Sequence, residues 1–566
     1  MAINNTITPL KRFFRLLGEE KSPVYSIYFY AVLNGIVTLS LPLGIQAIFN
    51  FILGGRVSTS WVILVLIVGM GVAFGGYMQI SQLQIAEKLQ QRLFSKVGLS
   101  VAYRLPKIKS EVFHGNYAPE FINRFFEVVA LQKGIAKILI EFSTAILQVS
   151  FGLLLLSFYH PTFIIFSFVL IVLLALIFYF TGPRGMETAM KESTYKYETA
   201  YWLEEVGRAV NTFKLVGNTK LPILKVDKLI QRYLEFRSKH FSVLIFQYKI
   251  MIVFKVLIVM SLLISGSLLL IDSQISLGQF VAAEVIIVMV VNSVEKLILS
   301  LESVYDTLVA VEKLGQISDL ELENYENTKK KVNSQSNSLQ FKMEDVVFQP
   351  SDMLKPLLDG VTLQIEAGEK VVLTGKGGKS AILAMLSGLY SDYSGKININ
   401  GLALDLINLE KYRGTVGACL ELDQLFHGTI KENILVGRDC PKEHFKAILE
   451  LVGISDFIYQ LPEGANTMLK PEGKGLFKRE ALAILIARAL VGSPRAIMIE
   501  NTFERIDLKS QQKVLKHLFE GPWTLLIVSV QDEILKKADK IISVQDGKID
   551  FQGTYSEYSA YQSKKS

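Results

Sequence analysis

Cysteine is nearly absent: the 566 residues hold two, Cys419 and Cys440. Neither has metal-ligand spacing, which argues against a thiolate metal site or a disulfide scaffold, and the pair reads as reduced cytosolic thiols. The opening stretch does not read as a cleavable leader either. The opening MAINNTITPLKRFFRLLGEEK has no run of seven or more apolar residues followed by small ones. Charge of one sign is in small excess, 60 Lys and Arg against 53 Asp and Glu, net +7. The basic residues lie beside apolar segments, which argues against nucleic acid as a partner. Half of the chain is hydrophobic and the mean hydropathy is +0.34, so much apolar surface is expected to meet membrane lipid.

Six long apolar segments occur near 25–49, 61–84, 134–158, 161–182, 244–271 and 276–300. Each is about 20 residues or more, enough to cross a hydrocarbon core of about 30 Å. The connections near 50–60, 158–161 and 272–276 are short, with Arg56 as their basic residue. Those at 85–133 and 183–243 are long and basic, carrying Lys88, Arg92, Lys96 and Arg104 in the first and Arg208, Lys214, Arg232 and Arg237 in the second. Positive residues stay in the cytoplasm. The reading is therefore a multi-pass protein of the cell inner membrane, with the N-terminus, both long loops and the C-terminal region cytoplasmic.

Within the N-terminal segment 1–24, residues 8–20 read as a basic amphipathic helix lying in the interface. The long loops continue the adjoining spans as helices, with Pro106, Gly115, Gly217 and Pro222 marking where each hairpin reverses. Lys255 and Glu284 are charges inside spans, with Asn34 and Asn292 as polar companions. They read either as a substrate path or as glue between helices, and their estimated depths differ too much to imply a pair. The division expected is 1–24, a membrane domain over 25–316, a polar linker over 317–340, and a second domain over 341–566.

In the second domain, strands alternate with helices, and AIMIE (496–500) and TLLIVSV (524–530) read as buried parallel strands, giving an α/β nucleotide-binding type of fold. Its centre is Val371–Tyr390, VVLTGKGGKSAILAMLSGLY. A β-branched strand enters the glycine turn Gly375-Lys376-Gly377-Gly378, and Lys379-Ser380 open a helix. That arrangement cradles phosphate on backbone N–H groups and a helix N-terminus. The usual phosphate loop has five residues between its first glycine and its lysine; here three lie between Gly375 and Lys379.

The order of segments resembles a half-transporter of the ATP-binding cassette (ABC) exporter family. LLDGVTLQIEAGEKVVLTG resembles the strands before the Walker A loop, and FHGTIKENI the segment after the Q-loop. LPEGANTMLKPEGKGL and ILIARAL resemble the approach to the signature motif and the signature helix, and ADKIISVQDGKIDFQGTYSEY the closing hairpin. SLGQFVAAE resembles the start of the sixth span. The likeness is greatest to type I secretion and peptide exporters without a peptidase domain. It implies a six-helix membrane domain followed by an α/β nucleotide-binding domain, with ATP and Mg²⁺ as cofactors.

Carried over position by position, the chemistry is degenerate. Pro350 stands where an adenine-stacking aromatic belongs. Walker A keeps Lys379 for phosphate and Ser380 for Mg²⁺, and Glu421 holds the Q-loop glutamine position. The signature aligns with Leu476-Phe477-Lys478-Arg479-Glu480, replacing a hydroxyl and two glycines by bulk and charge. Glu500 takes the Walker B aspartate position and is, with Ser380, the metal candidate. Asn501 takes the catalytic glutamate position, where an amide cannot act as a base. Val530 takes the switch histidine position, and Asp507 is kept at the D-loop position. The expectation is a dimeric transport subunit, homodimer or heterodimer with another ABC half-transporter, that does not hydrolyse ATP with its own residues and depends on a partner. The alternatives are a non-hydrolysing scaffold or regulator holding secretion accessory proteins, and, weakest, an ATPase acting by itself.

Overall fold

The computed structural model describes residues 8–54, 59–113, 118–323, 336–421, 424–500 and 508–565. The chain divides into two compact units, residues 1–106 with 117–320, and residues 107–116 with 321–566.

The first unit is helical. Helix α1 (Pro9–Glu19) starts on Thr8, whose hydroxyl accepts from the Lys11 amide, with proline in the first turn where its missing N–H is not needed. Phe13 is buried from this helix while Leu10 and Phe14 stay exposed. The first span is two helices, α2 (Lys21–Thr38) and α3 (Ser40–Leu53), interrupted at Leu39; Pro42, two residues into α3, cannot donate to the preceding turn. Helix α4 (Thr59–Arg104) follows. The third span runs through α5 (Glu127–Lys137) and α6 (Ser143–Ser157), joined by a π-helical turn at Ile138–Phe142. Helices α7 (Pro161–Arg208) and α8 (Leu221–Ile271) have 48 and 51 residues, about 75 Å each at the usual rise, so they extend far past a bilayer core. Helix α9 (Leu277–Leu299) opens with a reciprocal capping box between Ser276 and Gln279, and α10 (Leu301–Ser318) continues it. Among the described residues, six helices or runs of helices are long and apolar enough to cross a membrane.

Several polar groups inside this unit are partnered. Gln247, fully buried, donates to Thr181 Oγ1 at 2.6 Å and to the Tyr305 hydroxyl at 3.1 Å. Lys255 pairs with Glu295 at 3.3 Å, a residue the sequence reading passed over. Glu284 pairs with neither; its Oε1 is buried and makes no hydrogen bond among the described residues.

The second unit is built on two main sheets, with a short two-stranded antiparallel ladder between Gly428–Thr429 and Met468–Leu469 besides. Strands β1 (Phe341–Phe348), β2 (Leu358–Ile365), β4 (Ser394–Ile399) and β5 (Leu402–Ala403) form one, ordered β2-β1-β4-β5 and antiparallel. The other contains β3 (Lys370–Lys376), β6 (Val416–Cys419), β7 (Ala496–Glu500), β8 (Thr524–Val528), β9 (Lys540–Gln545) and β10 (Lys548–Gly553), ordered β10-β9-β3-β8-β7-β6. All its pairings are parallel except β9 with β10. Strand periodicity divides the core between the two faces: Ile497, Ile499, Leu525 and Ile527 enter one cluster, Ala496, Met498, Leu526 and Val528 the other. Because both faces are covered, AIMIE and TLLIV are buried at every position.

Residues 107–113 are held within this unit. The Glu111 carboxylate accepts from the amides of Ser391 and Asp392, the latter at 2.9 Å. Of the polar stretch 317–340, Ser318 ends α10, and Glu323 accepts two bonds from the Arg413 guanidinium, at 2.7 and 2.8 Å.

Candidate functional site: the glycine turn after β3

The site is positioned by β3, by helix α11 (Lys379–Leu386) that follows it, and by the C-terminal ends of β7 and β9. Strand β3 runs on through the first glycine of the turn. Gly375 pairs with Val544 and Lys376 with Gln545 in the parallel ladder, and the Asp546 amide donates to the Lys376 carbonyl at 2.8 Å. Gly375 has φ +93°, and a Cβ on it would lie 2.2 Å from the Val544 carbonyl oxygen. Glycine is required there because two backbones touch. The turn is thereby reduced from the expected Gly375–Gly378 to Gly377 and Gly378, at φ +78° and +97°.

Two residues, Gly377 and Gly378, lie between strand and helix. Lys379 folds back, Nζ donating to the Gly375 carbonyl at 2.5 Å. Ser380 donates its hydroxyl to one oxygen of Glu500, and the Glu421 amide reaches the other at 3.2 Å. Glu500 is 3% exposed, so the hydroxyl and the amide compensate its burial. Ser380 and Glu500 thus stand side by side, as a magnesium corner requires, but each already satisfies the other. Carboxylate and hydroxyl fit the metal by chemistry; the glycine turn does not fit a wrapped triphosphate.

The remaining candidates do not add donors at this point. Pro350 is buried, at the end of β1. Val530 is 68% exposed just past β8. Glu421 is exposed and contributes its backbone. Asn501 and Asp507 lie outside the described residues. At the signature position, helix α13 (Lys478–Leu490) begins without a side-chain cap. Leu476 is half-buried, Phe477 is 80% exposed, and Lys478 and Arg479 are exposed. Glu480 is buried, with Arg479 Nη2 at 3.2 Å from one oxygen and no hydrogen bond to the other among the described residues.

The model of the ABC transporter transmembrane region matches residues 25–294, and that of the ABC transporter domain residues 358–503. An export ATP-binding/permease protein of Rickettsia bellii is 24% identical over 352 residues, covering 61% of this chain and 61% of its own length. The exotoxin translocation ATP-binding protein PaxB of Pasteurella aerogenes is 27% identical, over 51% of this chain and 41% of its own length. The chain therefore aligns with less than two thirds of these relatives. A solved bacterial Atm1-family ABC exporter with ATP bound superposes with a TM-score of 0.83, at 16% identity and 96% coverage of both chains, which speaks for the fold. Together the two matched regions cover well over half of the chain, which belongs to the ABC transporter family and has its exporter architecture, a six-span helical membrane region followed by an α/β nucleotide-binding domain.

Proposed function

We propose that this chain is a dimeric, exporter-type transport subunit of a cell inner membrane whose cassette does not turn over ATP with its own residues and relies on a partner half-transporter. The observation that carries this is the pairing of Gly375 and Lys376 with Val544 and Gln545, which leaves two residues to do the work of a phosphate-wrapping loop. Asn501 at the general-base position and Val530 at the switch position point the same way, since neither side chain accepts a proton near pH 7. The N-terminus and cassette are cytoplasmic in this reading, because the basic loops flank the spans on one side.

A second reading, a membrane scaffold or regulator that keeps the fold without the motor, draws on the signature position. A competent partner site would need this chain's Phe477-Lys478-Arg479, whose exposed side chains obstruct the close approach that glycine allows. Framework residues such as Ile484, Ile486 and Ala487 are fully buried and hold the domain whether or not nucleotide turns over.

The test is a titration of labelled Mg-ATP onto the purified chain in lipid nanodiscs, alone and with an intact half-transporter. Alone, no saturable binding is expected below about 1 mM, and phosphate release stays at background. Steady release by the isolated chain, lost on Lys379→Ala, would sink the proposal. Stimulated release in the mixed dimer favours the transport subunit, and its absence the scaffold.

A further inference from the structure

The second unit contains a cleft of about 480 Å³ away from the glycine turn, within the size range of small-molecule sites. Its walls are helix α12 (Lys442–Leu451), the end of α13, the turn Ser493–Arg495 and the end of helix α14 (Leu508–Glu520) with Trp523 beyond it. Ile448, Leu490 and Pro494 make an apolar floor, and all three are buried. The charged and titratable groups that line it, Arg495, His444 and His517, are all bases. Glu520, which acts on His517 from the same helix, does not line the cleft.

Arg495 is the unusual member. Its Nη2 donates to the Ser338 carbonyl at 3.3 Å, its Nε is buried with no hydrogen bond, and no carboxylate pairs with it among the described residues. Burial without an acidic neighbour disfavours its charged form. The side chain is half-buried, and a guanidinium drawn partly out of water is commonly matched by a carboxylate in a forked pair. Beside it stands the Trp523 indole, its N–H already donated to the Leu518 carbonyl at 3.0 Å and its ring 5.1 Å from that of His517. An arginine lacking its acid, two imidazoles, an indole and an apolar floor together describe the complement of one kind of molecule.

We propose that this cleft binds a small organic carboxylate with an apolar, aromatic body, the carboxylate on Arg495 and His517 and the body between Ile448, Leu490 and Trp523. The site is separate from the nucleotide chemistry and does not depend on the transport reading. It is placed to regulate. Ser493–Arg495 connects α13, which opens at the signature position, to β7, which ends at Glu500, so a ligand there would fix the spacing of the two elements on which a partner's site would depend.

The probe is 5-fluoroindole-3-acetate, followed by fluorine NMR line broadening on the full chain in nanodiscs, with empty nanodiscs as reference. Saturable broadening is expected, weakened about tenfold or more in the neutral amide of the same probe and in Arg495→Met, and a few-fold in His517→Gln, by about the worth of one hydrogen bond. Inorganic phosphate at the same concentration should not compete, because it has no apolar body. Equal binding of acid and amide, competition by phosphate, or no saturable binding to a chain with an intact thermal transition would overturn the proposal. Should Arg495→Met fail to fold, His517→Gln and the acid–amide comparison decide it.

Discussion

Lys379 Nζ donates to the carbonyl oxygen of Gly375, four residues back along the chain, at 2.5 Å, while its neighbour Ser380 donates to Glu500. The two side chains that would face a phosphate and its metal therefore stabilise the domain's own backbone and core. This makes their substitutions distinguishable. Lys379→Ala removes one partly exposed hydrogen bond, worth about 1 kcal/mol or less, and should leave phosphate release unchanged at background. Ser380→Ala leaves a buried carboxylate with the Glu421 amide alone and should lower cassette stability by about 1–3 kcal/mol. Thermal midpoints and phosphate release, measured on the same preparations, check both.

Gly375 and Gly377 both sit at positive φ, but a Cβ would clash with backbone only at the first. A Cβ on Gly377 would come no nearer than 3.5 Å to its surroundings, so Gly377→Ala should cost the left-handed strain alone, about 1–2 kcal/mol. Gly375→Ala adds a clash with the Val544 carbonyl that no rotamer relieves. Its cost should exceed about 4 kcal/mol, seen as loss of the cassette's folding transition. If the two variants melted alike, β3 would not run on through Lys376 as described.

How far the sequence could anticipate this differs by feature. The spans were readable from composition because a bilayer demands about 20 apolar residues of any helix crossing it. The strands AIMIE and TLLIV were readable because burial on both faces leaves a continuous apolar run. The shortened glycine loop was countable, but its consequence was not. Whether Gly375 begins a turn or extends a strand depends on Val544 and Gln545, nearly 170 residues away in the chain, and no local pattern encodes that pairing. Glu295 was a similar omission with a signal available: a lysine in a span calls for an acid, and Glu295 lies in the next one. The cleft around Arg495 left no trace in the sequence, since its four walls meet only in the folded unit.

The same cleft carries a pH signature. Desolvation of its ring beside Trp523, with His444 adding to the effect and Glu520 opposing it, holds the His517 imidazole below its ordinary value of about 6.5. The folded cassette therefore takes up this proton at lower pH than the unfolded chain. The stability it protects is fully present above about pH 6.5 and is lost as pH falls through that value toward the folded one. Thermal midpoints should drop between pH 8 and pH 5.5, and less steeply in His517→Gln. Equal slopes in parent and variant would remove His517 as a contributor.

Lys255 and Glu295 form a pair 3.3 Å apart between α8 and α9, whereas Glu284, three turns earlier on α9, has a buried oxygen without a partner among the described residues. Neutralising substitutions should tell the paired acid from the unpaired one. Lys255→Met leaves Glu295 as an uncompensated charge among apolar helices and should destabilise the membrane unit by about 1–3 kcal/mol. Glu295→Gln in that background removes the stranded charge and should recover most of the loss, giving a positive coupling in a double-mutant cycle. Glu284→Gln breaks no bond, so it should leave stability unchanged or raise it. If Glu284 serves as a contact for cargo on a path through the membrane, the same substitution reduces transport by the assembled dimer while Lys255→Met with Glu295→Gln does not. Loss of stability in Glu284→Gln would instead mean that its carboxylate holds the bundle together, and the substrate-path reading of that residue would fall.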